Sequence, residues 1–140
     1  DEPIRAGLGR FVCALGALYR ESPCLWRGDP DTWSFTWIDC GDRDNSVLSF
    51  VRREREETRA GDFAIVVLNL TPVPRDDYRI GAPAPGRYVE RLCSDDPRFG
   101  GSGYGSRREV DTEPVWFHGY EQSIVLRIPP LAAIVLAPAR

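Results

Sequence analysis

Apolar side chains in the first twenty positions recur at helical spacing. Five of them follow one another at intervals of four and three, which places them on one face of an α-helix: Ile4, Leu8, Phe11, Leu15 and Leu18. Pro3 suits a first helical turn, Arg20 suits a last turn, and Pro23 prevents continuation. The pattern predicts one helix over residues 3–20, with an apolar stripe that another surface covers.

Beyond Pro30 the hydrophobic period changes from near 3.6 to 2. Trp33, Phe35 and Trp37 share one face of a predicted strand that ends near Ile38. Short apolar or alternating segments bounded by Gly and Pro predict seven more strands, over residues 46–53, 63–70, 77–80, 87–92, 108–112, 122–128 and 131–137. The charged segment 52–62 is predicted to be an exposed hairpin connection.

Two of the predicted strands, 63–70 and 131–137, contain unbroken apolar runs. Such runs are typical of central strands that are covered on both faces. Eight short strands joined by connections rich in Gly and Pro indicate a mainly β fold. We therefore expect an antiparallel β-sandwich with Greek-key connections, preceded by one N-terminal helix.

Length and charge narrow the possible functions. The 140 residues leave room for one domain, and all eighteen basic residues are Arg in a chain of net charge -3. Between residues 52 and 59 these Arg side chains alternate with Glu instead of forming a basic stripe. We therefore expect no nucleic-acid partner. The lack of Lys excludes a Walker-type phosphate loop, and no apolar run reaches the ~18 residues that a membrane span needs.

The four cysteines indicate free thiols. Cys13, Cys24, Cys40 and Cys93 form no Cys-x-x-Cys pair, and His118 is the single histidine. These residues do not provide the clustered ligands of a zinc site, so we expect no metal. Free thiols, together with the lack of a leader-like segment, indicate a reducing cytoplasm as the compartment.

Asp39, Asp42 and Asp44 are the first candidates for chemistry. They follow a predicted strand, where Asp side chains commonly accept hydrogen bonds from backbone groups of a turn. Turn capping is therefore the favoured interpretation. A Ca²⁺ site or a catalytic role is the alternative, because alternating carboxylates loosely match an oxygen-ligand loop.

His118 and a glycine-rich segment are further candidates. With Asp111 or Glu113, His118 is a candidate for a Ser-His-acid relay, but no Gly-x-Ser-x-Gly elbow exposes a nucleophile. A structural histidine, hydrogen-bonded at a strand end, is favoured. The segment 99–105 lacks the strand-to-helix context of an anion-binding loop, so we expect a tight loop with positive φ at several positions.

The most distinctive motif is Asn69-Leu70-Thr71-Pro72-Val73-Pro74-Arg75, followed by Tyr78-Arg79-Ile80-Gly81. Further segments accompany it along the chain: Leu18-Tyr19-Arg20-Glu21-Ser22-Pro23, Trp37-Ile38-Asp39, Asn45-Ser46-Val47-Leu48-Ser49-Phe50-Val51-Arg52-Arg53, Gly100-Gly101-Ser102-Gly103, His118-Gly119 and Pro129-Pro130-Leu131-Ala132. In this order they closely resemble the carboxyl-terminal region of bacterial 1,4-α-glucan (glycogen) branching enzymes, of the α-amylase superfamily. The resemblance runs over nearly the whole chain.

This resemblance implies a division of labour within a longer parent protein. Residues 1–25 would be the last helix of a missing (β/α)8 barrel plus a linker, and residues 26–140 the C-terminal all-β domain. The parent would cut α-1,4-glucan chains and re-attach them through α-1,6 linkages in glycogen biosynthesis. The family's catalytic acids belong to the barrel, so we expect no catalytic residue and no cofactor in this chain, and no activity from it alone. Its partners would be that barrel and α-glucan.

Aromatic side chains are candidates for contact with the glucan, because a ring face matches the apolar face of a glucose unit. Most of them are expected to pack in the core or at a domain interface. Four are candidates for a surface contact: Trp26, Tyr104, Trp116 and Tyr120. An autonomous carbohydrate-binding module is therefore the alternative to a covering domain, and the glucan affinity of the isolated chain distinguishes them. A hydrolase in its own right is disfavoured, because no pair of catalytic acids is recognisable.

Overall fold

The computed structural model describes residues 2–57, 63–105 and 108–140. One helix, α1, spans Glu2–Glu21, and three short 3₁₀ turns span Pro23–Leu25, Thr32–Ser34 and Pro97–Phe99. The strands are β1 Phe35–Asp42, β2 Val47–Arg53, β3 Phe63–Asn69, β4 Arg75–Ala82, β5 Arg87–Cys93, β6 Glu109–Asp111, β7 Gln122–Ile128 and β8 Ala133–Pro138. The predicted helix and the eight predicted strands are confirmed, with ends displaced by a few residues. The predicted hairpin connection lies partly outside the described residues, although β2 and β3 on either side of it pair as antiparallel neighbours.

The strands form two facing antiparallel sheets. Six strands pair in the order β1-β2-β3-β8-β5-β6, and β4 pairs with β7 in a second sheet. The connections from β3 to β4, β4 to β5, β6 to β7 and β7 to β8 pass from one sheet to the other. The core between the sheets includes Val51, Ile65, Ile80 and Ile124, all fully buried. The predicted antiparallel sandwich is therefore confirmed.

The two unbroken apolar runs form the adjacent central strands β3 and β8. On β3, Ile65 points into the core between the sheets, whereas Ala64 belongs to a second buried cluster on the outer face. On β8, Leu136 points into the core between the sheets and Val135 belongs to the second cluster. Both faces are covered, which explains why these strands lack hydrophobic alternation.

The second buried cluster exists because α1 packs on the outer face of the large sheet. Phe11, Ala14 and Leu18 pack with Val66, Leu92 and Val135, and the Phe11 and Phe99 rings lie 5.3 Å apart. Gly7 is buried on the same face of α1 because its backbone closely approaches that of Phe99. The helix is therefore attached to the sandwich through one narrow face.

That narrow face differs from the predicted stripe. Of the five predicted positions only Leu18 is buried and Phe11 partly buried, whereas Ile4, Leu8 and Leu15 are exposed. At 100° per residue the predicted stripe is centred about 50° from the face that contacts the sheet. The exposed flank carries five large side chains that are 43–73% exposed: Ile4, Leu8, Val12, Leu15 and Tyr19. We call these five residues the α1 flank.

The cysteines fall into two pairs of different accessibility. Cys13 and Cys40 are exposed, whereas Cys24 and Cys93 are buried. Burial raises the pKa of both the Cys24 and the Cys93 thiols to about 11, from an ordinary value of 9.0. No helix in the described part of the chain has the length and apolar character to cross a membrane.

Thiol titration should separate these pairs. In denaturant without reductant, we expect four thiols to react. In the native chain, Cys13 and Cys40 should react first, because a two-unit rise in pKa lowers the thiolate fraction of the buried pair about 100-fold. A disulfide-reactive chromophore followed at pH 8 measures both counts. Cys13→Ser and Cys40→Ser should each remove one fast equivalent. A total below four in fresh protein, or four equal rates in the native chain, contradicts this assignment.

Candidate functional site

An irregularity in β1 turns Asp39 toward the seam between the two sheets. Trp37 pairs with Phe50 and Asp39 pairs with Ser49, so β1 has one extra residue at this point. Such a β-bulge interrupts the alternation of faces. Ile38 is buried in the core, and Asp39 follows it on the same side of the sheet, as the burial of its partner Ser49 indicates.

Asp42, at the end of β1, is the second carboxylate of this seam. Its carboxylate accepts hydrogen bonds from the Asn45 backbone N–H and side-chain amide, at 3.0–3.1 Å, and from the Tyr78 hydroxyl of β4. Burial raises the pKa of Asp42, but these hydrogen bonds outweigh it and hold that pKa below its usual range. Burial and the bond to Asp42 both raise the pKa of Tyr78. Asp42 is thus an ionised acceptor.

His118 joins the two sheets opposite these carboxylates. It occupies a two-residue hairpin, with φ of 49° at His118 and 80° at Gly119, closed by hydrogen bonds of 2.9 and 3.0 Å between Phe117 and Tyr120. The Gly81 backbone N–H of β4 donates to His118 Nδ1 at 3.2 Å, which leaves the proton of the neutral ring on Nε2. Nε2 lies 3.5 Å from Asp39 Oδ2.

These groups line an open cleft of about 700 Å³ between β1, β4 and the hairpin. Its polar walls include Asp39, Asp42 and His118, and Phe117 supplies an aromatic wall. Trp116, the neighbour of Phe117, is 66% exposed. The cleft therefore combines hydrogen-bonding groups with an aromatic wall at Phe117.

The predicted turn-capping roles of Asp39 and Asp42 are confirmed. Asp39 Oδ1 accepts from the Gly41 N–H at 2.9 Å, and Asp42 caps the turn at Asn45. The structure adds roles that the sequence did not indicate, at Tyr78 and in the approach of Asp39 to His118. No group of three or more His, Cys, Asp or Glu side chains in the described ranges is arranged to hold a metal ion.

His118 is hydrogen-bonded to β4 through Gly81, in keeping with a structural role, but it lies in a hairpin turn and not at a strand end. The acids considered as its relay partners are engaged elsewhere, since Asp111 pairs with Arg87 at 2.8 Å and Glu113 with Arg79 at 2.8 Å. Its position beside Asp39 was missed, and the sequence offers no local signal for a contact between residues so far apart.

The glycine-rich segment forms the predicted tight loop. Gly100, Gly103 and Gly105 have φ of 91°, 73° and 79°. The anion held by this loop belongs to the chain itself, because the Asp95 carboxylate accepts from the Ser102 N–H at 3.0 Å and from the Ser102 hydroxyl at 2.5 Å. The loop supports α1 through Phe99 and is a structural element.

Three of the four aromatic candidates have structural partners. The Trp26 indole N–H donates to the Tyr19 carbonyl at 2.9 Å. The Tyr104 ring lies 4.5 Å from the Arg127 guanidinium, and its hydroxyl donates to Asp76 at 2.7 Å. Tyr120 packs against the core. Among described residues, no aromatic or cationic side chain stacks on Trp116.

Asn69, in the motif that carries the resemblance, is a structural corner. It is 2% exposed, and its side-chain amide donates to the carbonyl oxygens of Val73 and Pro129 at 2.8 and 3.0 Å. Its side-chain oxygen accepts from the Thr71 N–H and hydroxyl at 3.1 and 3.0 Å. One side chain thus joins the β3–β4 connection to the turn before β8.

His118 should make stability depend on pH. Burial lowers its pKa below 6.5, although Asp39 and Asp42 oppose that shift. Near this pKa the folded chain then binds fewer protons than the unfolded chain. The free energy of unfolding therefore has its full value above pH ~6.5 and decreases as the pH falls below that value. Urea titrations between pH 8 and pH 5 measure this change.

His118→Asn is the matched control for that experiment. Asn tolerates positive φ and retains a side-chain acceptor for the Gly81 N–H, but it does not titrate. We expect the difference in unfolding free energy between wild type and variant to shrink as the pH falls. A constant difference across this range contradicts a lowered histidine pKa.

Comparison with known proteins agrees with this architecture. The family model described as alpha amylase, C-terminal all-beta domain matches residues 37–139. The chain is 46% identical over 140 residues to a 1,4-alpha-glucan branching enzyme of Salinibacter ruber, covering 99% of this chain and 21% of that protein. It is 46% identical over 136 residues to one of Burkholderia thailandensis, covering 97% of this chain and 16% of that protein. The chain thus spans about a fifth of the length of these curated relatives.

Proposed function

The chain belongs to the family of α-amylase C-terminal all-β domains, and from that premise we propose that it is the non-catalytic C-terminal domain of a longer 1,4-α-glucan branching enzyme. The parent cleaves α-1,4-glucan chains and transfers them to form α-1,6 branches. The domain itself covers apolar surface of the parent's catalytic barrel. The relatives that share the sequence carry the branching-enzyme name and are about five times longer, which supports this assignment.

The α1 flank is the observation that carries the covering role. Ile4, Leu8, Val12, Leu15 and Tyr19 form a continuous apolar strip beside the face of α1 that packs on the sandwich. Contiguous apolar strips of this kind are unusual on a free surface and are typical of interaction sites. We propose that residues 1–25 are the last helix of the barrel plus a linker, and that the flank packs against the preceding barrel elements. Burial of several hundred Å² at ~25 cal/mol per Å² stabilises the contact by several kcal/mol.

Substitution in the parent protein tests this role. Leu8→Asp places a charge in the proposed contact, and we expect the branching rate of the parent to fall at least about tenfold, because an unpaired buried charge costs several kcal/mol. Leu131→Asp is the control, since Leu131 is 68% exposed in a turn outside α1. Equal activity of the two variants and the wild-type parent removes the support for a covering role.

The isolated chain should neither cleave nor branch amylose. Retaining transfer between glucan chains needs a carboxylate nucleophile and a protonated acid about 5 Å apart. The pKa of Asp42 is lowered, which excludes Asp42 as the protonated acid. The Asp39 carboxylate accepts a hydrogen bond from the Gly41 N–H and faces His118. Glu90 has a pKa raised by burial, but it lies in a separate depression with Arg98 and Arg108. Iodine staining of amylose incubated with the chain measures this, and a loss of blue complex that survives repeated purification contradicts it.

A cytoplasmic location accompanies this proposal. Four free cysteines favour a reducing compartment, and the thiol count described above bears on the same point. The rival function, an autonomous glucan-binding module, needs no contact with the barrel and therefore predicts wild-type branching by the Leu8→Asp parent. Trp116, which is 66% exposed, is the observation in favour of some glucan contact.

A further inference from the structure

We propose that the cleft between β1, β4 and the His118 hairpin is a contact site for an α-1,4-glucan, with Trp116 and Phe117 as its aromatic surface. This inference rests on the proposed branching-enzyme function for the identity of the ligand. It assigns a second role to the domain, on a surface distinct from the α1 flank.

The polar side of the cleft suits a sugar hydroxyl. His118 Nε2 and Asp39 Oδ2 are 3.5 Å apart, beyond the usual 2.7–3.2 Å of a direct hydrogen bond of this type. Because Gly81 fixes the proton on Nε2, the ring presents a donor and the carboxylate an acceptor. A hydroxyl both donates and accepts, so one sugar hydroxyl satisfies both groups at once.

The aromatic side of the cleft is fixed before a ligand arrives. Phe117 lines the cleft, and its ring lies 4.3 Å from that of His118. The hairpin packs closely on β4, because a Cβ at Gly81 would lie 2.5 Å from the Phe117 carbonyl oxygen and the Gly81 N–H donates to His118. A preformed surface loses little conformational entropy on binding. Trp116, the chain neighbour of Phe117, is 66% exposed, and we assign its ring to the same contact with a chain of several glucose units.

Charge favours glucan over another part of the parent as the occupant. The cleft is lined by four carboxylates and only two guanidinium groups, so its lining carries an excess of negative charge: Asp39, Asp42, Asp76 and Asp77 against Arg75 and Arg79. A protein surface packed over it would remove these carboxylates from water, and an imperfectly paired buried carboxylate is strongly destabilising. A neutral glucan instead supplies hydroxyl donors and leaves much of the cleft hydrated. The α1 flank, which carries no acidic residue among its five members, is the surface suited to the protein contact.

Titration of the ¹⁵N-labelled 140-residue chain with maltoheptaose tests the proposal. We expect saturable shifts of the backbone signals of residues 115–119 and of Asp39. Trp116→Ala should raise the dissociation constant at least about tenfold, as expected when a Trp side chain that stacks on the ligand is removed. Asp39→Asn removes the negative charge and one of the two acceptor oxygens opposite Nε2–H, and should weaken binding by a similar factor. Tyr19→Ala, which removes an exposed aromatic ring from the α1 flank, should leave binding unchanged.

The outcomes separate the two proposals. Wild-type affinity in Trp116→Ala, or shifts that avoid the hairpin, overturns the glucan site. If Trp116→Ala instead lowers the melting temperature of the parent while maltoheptaose binding is unchanged, the Trp116 ring is an intrachain contact and the glucan site is again overturned. Cellohexaose, a β-1,4-glucan, should bind more weakly than maltoheptaose, and equal binding contradicts an α-glucan site. Loss of parent activity in Leu8→Asp is independent of all these results and reports only on the covering role.

Discussion

Asn69→Ala should lower the free energy of unfolding by roughly 3 kcal/mol or more. The substitution removes four hydrogen bonds, to the carbonyl oxygens of Val73 and Pro129 and from the N–H and hydroxyl of Thr71. The Thr71 hydroxyl keeps only longer contacts of 3.4–3.5 Å with Val73 and Arg75. Each buried polar group left unsatisfied costs about 1–3 kcal/mol, and solvent reaches part of this corner, which reduces the sum. Urea denaturation followed by tryptophan fluorescence measures the change.

Thr71→Val is the matched control for the corner. It removes the hydroxyl that donates to Asn69 and keeps the shape of the side chain, so we expect a loss of about 1 kcal/mol. The two variants should therefore differ severalfold. Similar small losses in both would show that water replaces the Asn69 side chain without penalty, and that the motif has another role.

Ile65→Ala should destabilise the fold by roughly 2–5 kcal/mol. Ile65 is fully buried on the central strand β3, where it pairs with Val51 and Leu136, which are also buried. The smaller side chain loses burial energy and leaves a cavity that rigid neighbouring strands cannot fill. The midpoint of urea unfolding should fall while its slope stays constant, because the folded and unfolded states keep their exposed areas.

Leu70→Ala controls for the loss of a large apolar side chain next to the same strand. Leu70 is 58% exposed, so its truncation should change stability by less than about 0.5 kcal/mol. A loss at Leu70 comparable to that at Ile65 would indicate that the exposed residue is covered by another surface in solution.

The number of strands and their positions along the chain could be predicted because their signals are local. Hydrophobic runs such as 63–70 and turn residues between them reflect contacts that every strand of a sandwich must make. The double coverage of β3 and β8 was also visible, since only strands buried on both faces tolerate unbroken apolar runs.

The phase of the helix could not be predicted, for a physical reason. The apolar positions of α1 cover about half of its circumference, because one face packs on the sandwich and the flank remains exposed. Periodicity identifies apolar positions but not which surface covers each of them. The predicted stripe lay at the centre of these apolar positions. It therefore included both Leu18, which is buried, and Ile4, which is 73% exposed.

The cleft was beyond sequence reasoning because it joins distant segments. His118, Asp39 and Tyr78 come from a hairpin, a bulge and a strand that meet only across the two sheets. A bulge has no reliable hydrophobic signature, so the inward position of Asp39 could not be predicted from the sequence. Conversely, the motif that looked most distinctive begins with the hydrogen-bonded corner at Asn69 and Thr71, and its later residues Arg75, Tyr78 and Arg79 line the cleft.

The β-bulge at Ile38 and Asp39 constrains how this chain tolerates insertions and deletions. Removing one residue there restores regular alternation, which would turn Asp39 away from the seam if Ile38 kept its place in the core. A change in the length of β1 at this point therefore removes either Ile38 from the core or the Asp39 carboxylate from the seam. In protein engineering, β1 is accordingly a poor place for grafting or loop transfer, although it is an edge strand of the large sheet.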